Sequence, residues 1–281
     1  MINFNGKIFK DDDLFLNHTN RALKYGDALF ETIKVVNSKI FFLEDHYFRL
    51  MASMRILRMK IPDNFTMEFF ENEMLTTIQS NHKENLAVRV RFTVFRDAKG
   101  YYLPHSNNIS YIVETDTIDA PFYLLNEKKH EIELYKDYFI NSGLLSTLKT
   151  NNRIINVIAG IYANENDYDN CLLLNENKNV VEAVNGNIFV ISGKTIITPP
   201  LTEGCINGIL RKQLLNIIDK TNEYTIEERA ISPFELQKAD ELFITNVIKG
   251  IQPVTKFRKK QYSNEVGKDL LKKLNVAARL I

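Results

Sequence analysis

"LAVRVRFTVFRDAKGYYLPHSNNISYIVET", Leu86–Thr115, decides the architecture. Val88, Val90, Phe92 and Val94 fall on one face of an extended chain, and Arg89, Arg91 and Thr93 on the other. That is the period of two expected of a half-buried sheet. "RDAKGYY" is a tight connection and "ISYIVET" a second strand. Upstream, "INFNGKIF" turns at Asn5-Gly6, a pair suited to a tight hairpin, and "ALFETIKVV" and "KIFFL" flank Asn37-Ser38. "EDHYFRLMASMRIL" reads as a helix whose apolar face holds Phe48, Met51, Met54 and Ile56. After Pro62, Asp63 or Asn64 can cap a helix through Met67, Phe70, Met74 and Ile78.

Downstream, the acids and proline of "TDTIDAP" interrupt the strands, and the domain boundary is placed there, giving domains 1–115 and 116–281. "HEIELY" then reads as a strand, "RIINVIAGIYANEN" as a helix, and "NCLLLNENKNVVEAVNGNIFVISGKTIITPP" as a strand meander. "NGILRKQLLNIIDK" is a helix and "TIEERAI" a strand; Ser232, Pro233 and Glu235 form a capping box. "ELFITN" and "IQPVTKF" are strands, and "SNEVGKDLLKKLNVAARL" is a closing amphipathic helix. Strands and helices mix without regular βα alternation, so the fold class is α+β in two domains.

The 281 residues are 44% hydrophobic and 25% charged, an ordinary globular composition. Thirty-six basic residues nearly cancel 35 acidic ones without clustering, which argues against a nucleic-acid partner. "MINFNGKIFKDDD" lacks the pattern of a signal peptide, and no apolar run approaches the ~20 residues of a membrane span. A soluble, cytoplasmic protein is expected. Cys171 and Cys205 are too few for a zinc site or disulfide framework and read as small core residues.

Six features carry candidate chemistry. Lys149, in "SGLLSTLKTNNRII", is by residue type a solvated charge. Leu144, Leu145, Leu148, Ile154 and Ile155 around it suggest instead the edge of a core, where desolvation would favour the free, carbonyl-attacking amine. Glu182, in "VVEAVNGNIF", is by alternation an outward strand residue; buried, it could keep a pyridine nitrogen protonated. Gly204 and Gly208 precede a helix whose first-turn amides could bind an anion such as phosphate, or they serve only as turns. Arg49 shares a helix face with His46. Lys99, beside Tyr101 and Tyr102, is a carboxylate clamp or a hairpin tip. Asn246 is a phosphate donor or a turn residue.

Taken in order, "NRALKYGDALFETIKV", "EDHYFRL", "LKTNNR", "VVEAVNGNIF", "TPPLTEGCINGILR" and "ADELFITNVIKGIQPV" resemble the class IV (fold-type IV) pyridoxal-phosphate enzymes over nearly the whole chain. The family includes branched-chain and D-amino-acid aminotransferases and 4-amino-4-deoxychorismate lyase. The resemblance implies a small N-terminal and a larger C-terminal α+β domain, a homodimer, a small-molecule amino substrate and the cofactor pyridoxal 5'-phosphate. It implies that Lys149 binds the cofactor covalently, Glu182 faces its ring nitrogen, and Arg49 contacts its phosphate. Gly208, Ile209, Leu210, Asn246 and Val247 would join Arg49 there. Val247 stands where some relatives have a hydroxyl residue.

Phe30 stands where D-amino-acid aminotransferases tend to have a tyrosine near the substrate, and Lys99 stands in place of a lyase arginine. "KTNNR" with Arg153, the asparagine before Pro253-Val254 and the short chain resemble the lyase. The expected activity is release of 4-aminobenzoate and pyruvate, a step in folate biosynthesis. The alternatives are an aminotransferase for branched-chain or D-amino acids, or a non-catalytic binding protein that kept the fold. No metal is expected.

Overall fold

A computed structural model describes residues 1–279. Among the described residues the chain forms two compact units, Met1–Pro121 with Lys149–Asn152, and Phe122–Leu148 with residues 153–279. Pairing of the last strand of the first unit continues through Thr117, so the contacts carry this unit past residue 115.

The first unit contains β1 (Ile2–Phe4), β2 (Lys7–Phe9), α1 (Arg21–Tyr25), β3 (Ala28–Val36), β4 (Lys39–Ile40), α2 (Leu43–Ile56), α3 (Met67–Ser80), β5 (Ala87–Arg96) and β6 (Ile109–Thr117). Its antiparallel sheet has the order β2-β1-β6-β5-β3-β4. Both expected hairpins form, and Asn5, Gly6, Asn37 and Ser38 all take positive φ, which matches the twist of the flanking strands. On one face Ile33 and Val35 lie opposite Val90 and Val88 and pack beneath α2 and α3; the rings of Phe70 and Phe92 lie 4.7 Å apart.

Three expectations shift. "KIFFL" pairs only at Lys39–Ile40, because Phe42 turns into α2 with φ 56°. The α2 stripe rotates: Phe48 is 55% exposed, while His46, Leu50, Met51, Ser53 and Met54 are buried. The rotation follows from Glu31, a buried acid on β3 that draws polar partners inward. Thr66, not Asp63 or Asn64, caps α3 by accepting from Phe69 N–H.

The second unit contains β7 (Glu131–Leu134), α4 (Ile154–Glu165), β8 (Asn170–Leu174), β9 (Val180–Ala183), β10 (Asn187–Ser192), β11 (Thr195–Thr198), α5 (Ile209–Thr221), β12 (Thr225–Glu228), α6 (Pro233–Leu236), β13 (Glu241–Asn246), β14 (Gly250–Pro253), β15 (Lys256–Phe257), β16 (Lys260–Gln261) and α7 (Glu265–Arg279). Two five-stranded sheets, β12-β11-β10-β13-β14 and β16-β15-β7-β8-β9, enclose a core that includes Leu172, Ile188, Leu242 and Phe257. The expected meander therefore changes sheet between β9 and β10, and "IQPVTKF" divides between β14 and β15. The α6 capping box forms, and both cysteines are buried. The closing helix is described to Arg279; expected residue Leu280 lies outside the described residues. Among the described residues no helix is long and apolar enough to cross a membrane.

Candidate active site

Each unit carries one cluster of the expected residues. In the first, "KTNN" lies along the edge of β3. Phe30 N–H donates to the Lys149 carbonyl at 2.9 Å, Asn151 N–H donates to the Ala28 carbonyl at 3.0 Å, and Leu29 and Thr150 form an antiparallel bridge. This pairing sets Lys149 opposite Phe30 on one face. The Lys149 amine lies 4.5 Å from the centre of the Phe30 ring, and the Arg91 guanidinium carbon 3.8 Å from the same centre.

Arg91 is held in place by donation to Thr93 Oγ1 at 3.2 Å and to Asn151 Oδ1 at 3.3 Å. Burial holds its guanidinium below the usual arginine range, yet it remains a cation. Asn152 donates to the Gly26 carbonyl at 3.1 Å. Lys34, further along this face of β3, is buried and donates to the Ala120 carbonyl at 2.9 Å; burial pulls its amine down to about 8.

Glu31, next to Phe30, points to the other face. It accepts from Arg49 Nε at 2.8 Å and from Arg49 Nη2, and lies 2.6 Å from His46 Nδ1. Burial pushes the Glu31 carboxyl up, but Arg49 and His46 outweigh this and hold it at about 2. Burial also pushes the His46 imidazole down. Arg49 and His46 thus meet, as their spacing predicts, but through a glutamate that the spacing does not reveal. Lys99 sits on an exposed tip whose carbonyls at Gly100 and Tyr101 accept from Arg21.

In the second unit Glu182 is 3% exposed, so the outward alternative is excluded. Its Oε2 accepts from Ile206 N–H at 2.9 Å. Asn187 Nδ2 donates to the Ile206 carbonyl at 2.9 Å, and Asn207 N–H donates to the Thr147 carbonyl at 3.2 Å. These three bonds fix the loop that enters α5. Gly208 precedes the helix without a side chain to cap it, and no acid lies in the first turn, so the amides at Ile209 and Leu210 begin a helix suited to an anion.

Asn246 Oδ1 accepts from Ile248 N–H at 3.1 Å and Lys249 N–H at 2.9 Å, so its oxygen shapes the turn after β13. Tyr123 braces that turn by donating to the Val247 carbonyl at 2.9 Å. Arg153 starts α4 and donates to the Leu148 carbonyl. The core edge expected around Lys149 forms only in part: Leu148 is buried and Ile155 packs on a core cluster, but Leu144, Leu145 and Ile154 are exposed, and within the first unit the lysine is half-buried against Phe30. Arg91, Asn151, Glu31, Asn187 and Tyr123 escaped the sequence reading. Arg91 had a signal, its alternation on the polar face of β5; the others depend on distant partners.

The family model for class IV amino-transferases matches residues 28–257, and the chain belongs to that enzyme family. It is 27% identical over 273 residues to a Methanocaldococcus jannaschii protein assigned to the branched-chain-amino-acid aminotransferases, covering 97% of this chain and 93% of that one. To the aminodeoxychorismate lyase of Vibrio harveyi it is 22% identical over 236 residues, 84% and 85% of the two chains. Its fold matches the branched-chain amino acid aminotransferase of Thermobaculum terrenum, solved in its PLP form, with a TM-score of 0.85 at 21% identity over 99% and 94% of the chains.

Proposed function

We propose that this class IV enzyme uses pyridoxal 5'-phosphate to release pyruvate and 4-aminobenzoate from 4-amino-4-deoxychorismate. Each cluster has chemistry suited to a part of the cofactor: in the first unit a lysine amine for its carbonyl, and in the second a buried carboxylate for its ring nitrogen and uncapped helix amides beside Gly208 for its phosphate. By the resemblance Arg49, Gly208, Ile209, Leu210, Asn246 and Val247 bind the phosphate. Bound cofactor supplies an electron sink for the carbon that bears the substrate amine.

The observation that carries the reading is the shared face of Lys149, Phe30 and Arg91. Arg91 can bind a substrate carboxylate through its fork, and Phe30 offers an apolar wall beside the amine. With cofactor and substrate bound, the Lys149 amine would take the proton from the amine-bearing carbon. The carbon–oxygen bond to the three-carbon fragment then breaks, and Lys149 or a nearby acid protonates the departing enol. Lys99 and Arg153 are the further substrate contacts that the resemblance supports.

A second reading, an aminotransferase, is favoured by the 27% identity to the Methanocaldococcus jannaschii protein over nearly the whole chain. It shares every step up to proton removal. Purified protein supplied with aminodeoxychorismate is expected to release both products, and to be nearly inert with amino acids and 2-oxoglutarate; the reverse result replaces the first reading with the second. Borohydride is expected to fix the cofactor to Lys149, and Lys149→Ala to lose both fixation and turnover.

The enzyme works as a homodimer, a reading supported by the exposed apolar stripe of Ile154, Val157 and Ile161 on α4. Val157→Glu is expected to sediment as a monomer; an unchanged dimer moves the interface elsewhere.

A further inference from the structure

We propose that Glu31, backed by His46, is a positioning residue for the cofactor phosphate because it sets the plane of the Arg49 guanidinium. This rests on the reading of Arg49 as a phosphate ligand. Arg49 donates through both Nε and Nη2 to the two oxygens of Glu31, a fork that fixes the guanidinium plane as well as its place. Ser53 Oγ donates to the Arg49 carbonyl at 2.7 Å, one helical turn on.

Two features are poorly explained by a purely structural role. A buried ion pair contributes little stability compared with apolar side chains of the same volume, and this one lies between β3 and α2, which also bury Ile33, Leu50 and Met54. His46 is fully buried and spends Nδ1 on Glu31, while its Nε2 is left without a hydrogen-bond partner, a cost that an apolar residue would avoid. Exposure also has a direction. The side chains of His46 and Glu31 are 0% and 1% exposed, whereas that of Arg49 is 11% exposed. The cluster therefore presents its cation and hides the groups that hold it.

The test titrates the full-length apoprotein with pyridoxal phosphate and, separately, with pyridoxal, which lacks the phosphate; the 31P resonance of bound cofactor is recorded for each variant. A charge-assisted hydrogen bond lost from the phosphate corresponds to about tenfold or more in affinity. Arg49→Lys and Glu31→Gln are each expected to weaken pyridoxal phosphate about tenfold, leave pyridoxal within about twofold, and move the 31P resonance. The double variant is expected to bind within about twofold of Arg49→Lys alone, because both act on one contact.

If Arg49→Lys discriminates between the two compounds and Glu31→Gln does not, the positioning role is overturned and the phosphate reading stands. If Arg49→Lys fails to discriminate, the phosphate reading itself falls and the proposal falls with it. Should Glu31→Gln not fold, His46→Asn takes its place. A loss of about threefold confined to pyridoxal phosphate supports the proposal, and an equal loss for both compounds, or none, overturns it.

Discussion

Gly208→Ala tests the loop that opens α5. Gly208 has φ −70° and ψ 138°, a conformation open to any residue, so backbone freedom is not its purpose. Space is: a Cβ would lie 1.9 Å from Asn187 Oδ1 and 3.5 Å from Arg211 Cβ. The buried Asn187 amide would have to move and give up its bond to the Ile206 carbonyl, whose residue also donates to Glu182. Leaving such a group unpaired costs about 1–3 kcal/mol. The lower entropy of the unfolded alanine chain returns about 0.4–1 kcal/mol. A net loss of about 1–2 kcal/mol is expected in urea denaturation of the apoprotein, with about tenfold weaker pyridoxal phosphate in a spectroscopic titration. Asn187→Ala alone is expected to lose the bond without the clash. The double variant should therefore be less impaired than the two single losses combined. Wild-type stability and affinity in Gly208→Ala would refute the close approach, and strict additivity would refute its assignment to Asn187.

Arg91→Lys is expected to raise KM for the carboxylate substrate about tenfold while cofactor affinity stays unchanged, because lysine lacks the bidentate fork; Lys99→Ala, on the exposed tip, is expected to raise KM less than Arg91→Lys does, and the opposite ranking in steady-state kinetics would return carboxylate recognition to Lys99. The Lys34 amine, held at about 8 instead of the usual 10.5, leaves the unfolded chain with more protons between these values. Stability is therefore expected to rise by on the order of 2 kcal/mol as pH increases across that window, and Lys34→Met to lose the slope in urea titrations. Glu31, held at about 2, contributes stability that is full above its usual 4.5 and lost as pH falls towards 2. Acid unfolding should therefore cost the wild type about 3 kcal/mol more than Glu31→Gln over that range, and parallel acid curves would remove Glu31 from the account.

The features that could be read from sequence are those settled by neighbours along the chain. Asn5-Gly6 and Asn37-Ser38 announce their turns because the required positive φ is local. Ser232, Pro233 and Glu235 announce a helix start for the same reason. The α2 face was misread because a period of 3.6 ranks residues by hydrophobicity, whereas Glu31 on another element draws His46 inward and leaves Phe48 outside. Glu182 shows the same limit for strands. Alternation sends it to solvent, but β9 is buried on both faces, and the amide that meets the carboxylate comes from Ile206 beyond two further strands.

For Lys149 the apolar contact comes from elsewhere than its chain neighbours suggest. Of the residues that suggest a core edge, Leu144, Leu145 and Ile154 are exposed, and Phe30, more than a hundred residues away in sequence, supplies an apolar contact. What placed Lys149 was the return of "KTNN" to the edge of β3, a pairing set by backbone hydrogen bonds that side-chain periodicity does not encode. That return also explains Arg91. Its place on the polar face of β5 looks like solvent until Phe30, Asn151 and Lys149 are seen on the same face, where the arginine is a fixed cation against the Phe30 ring.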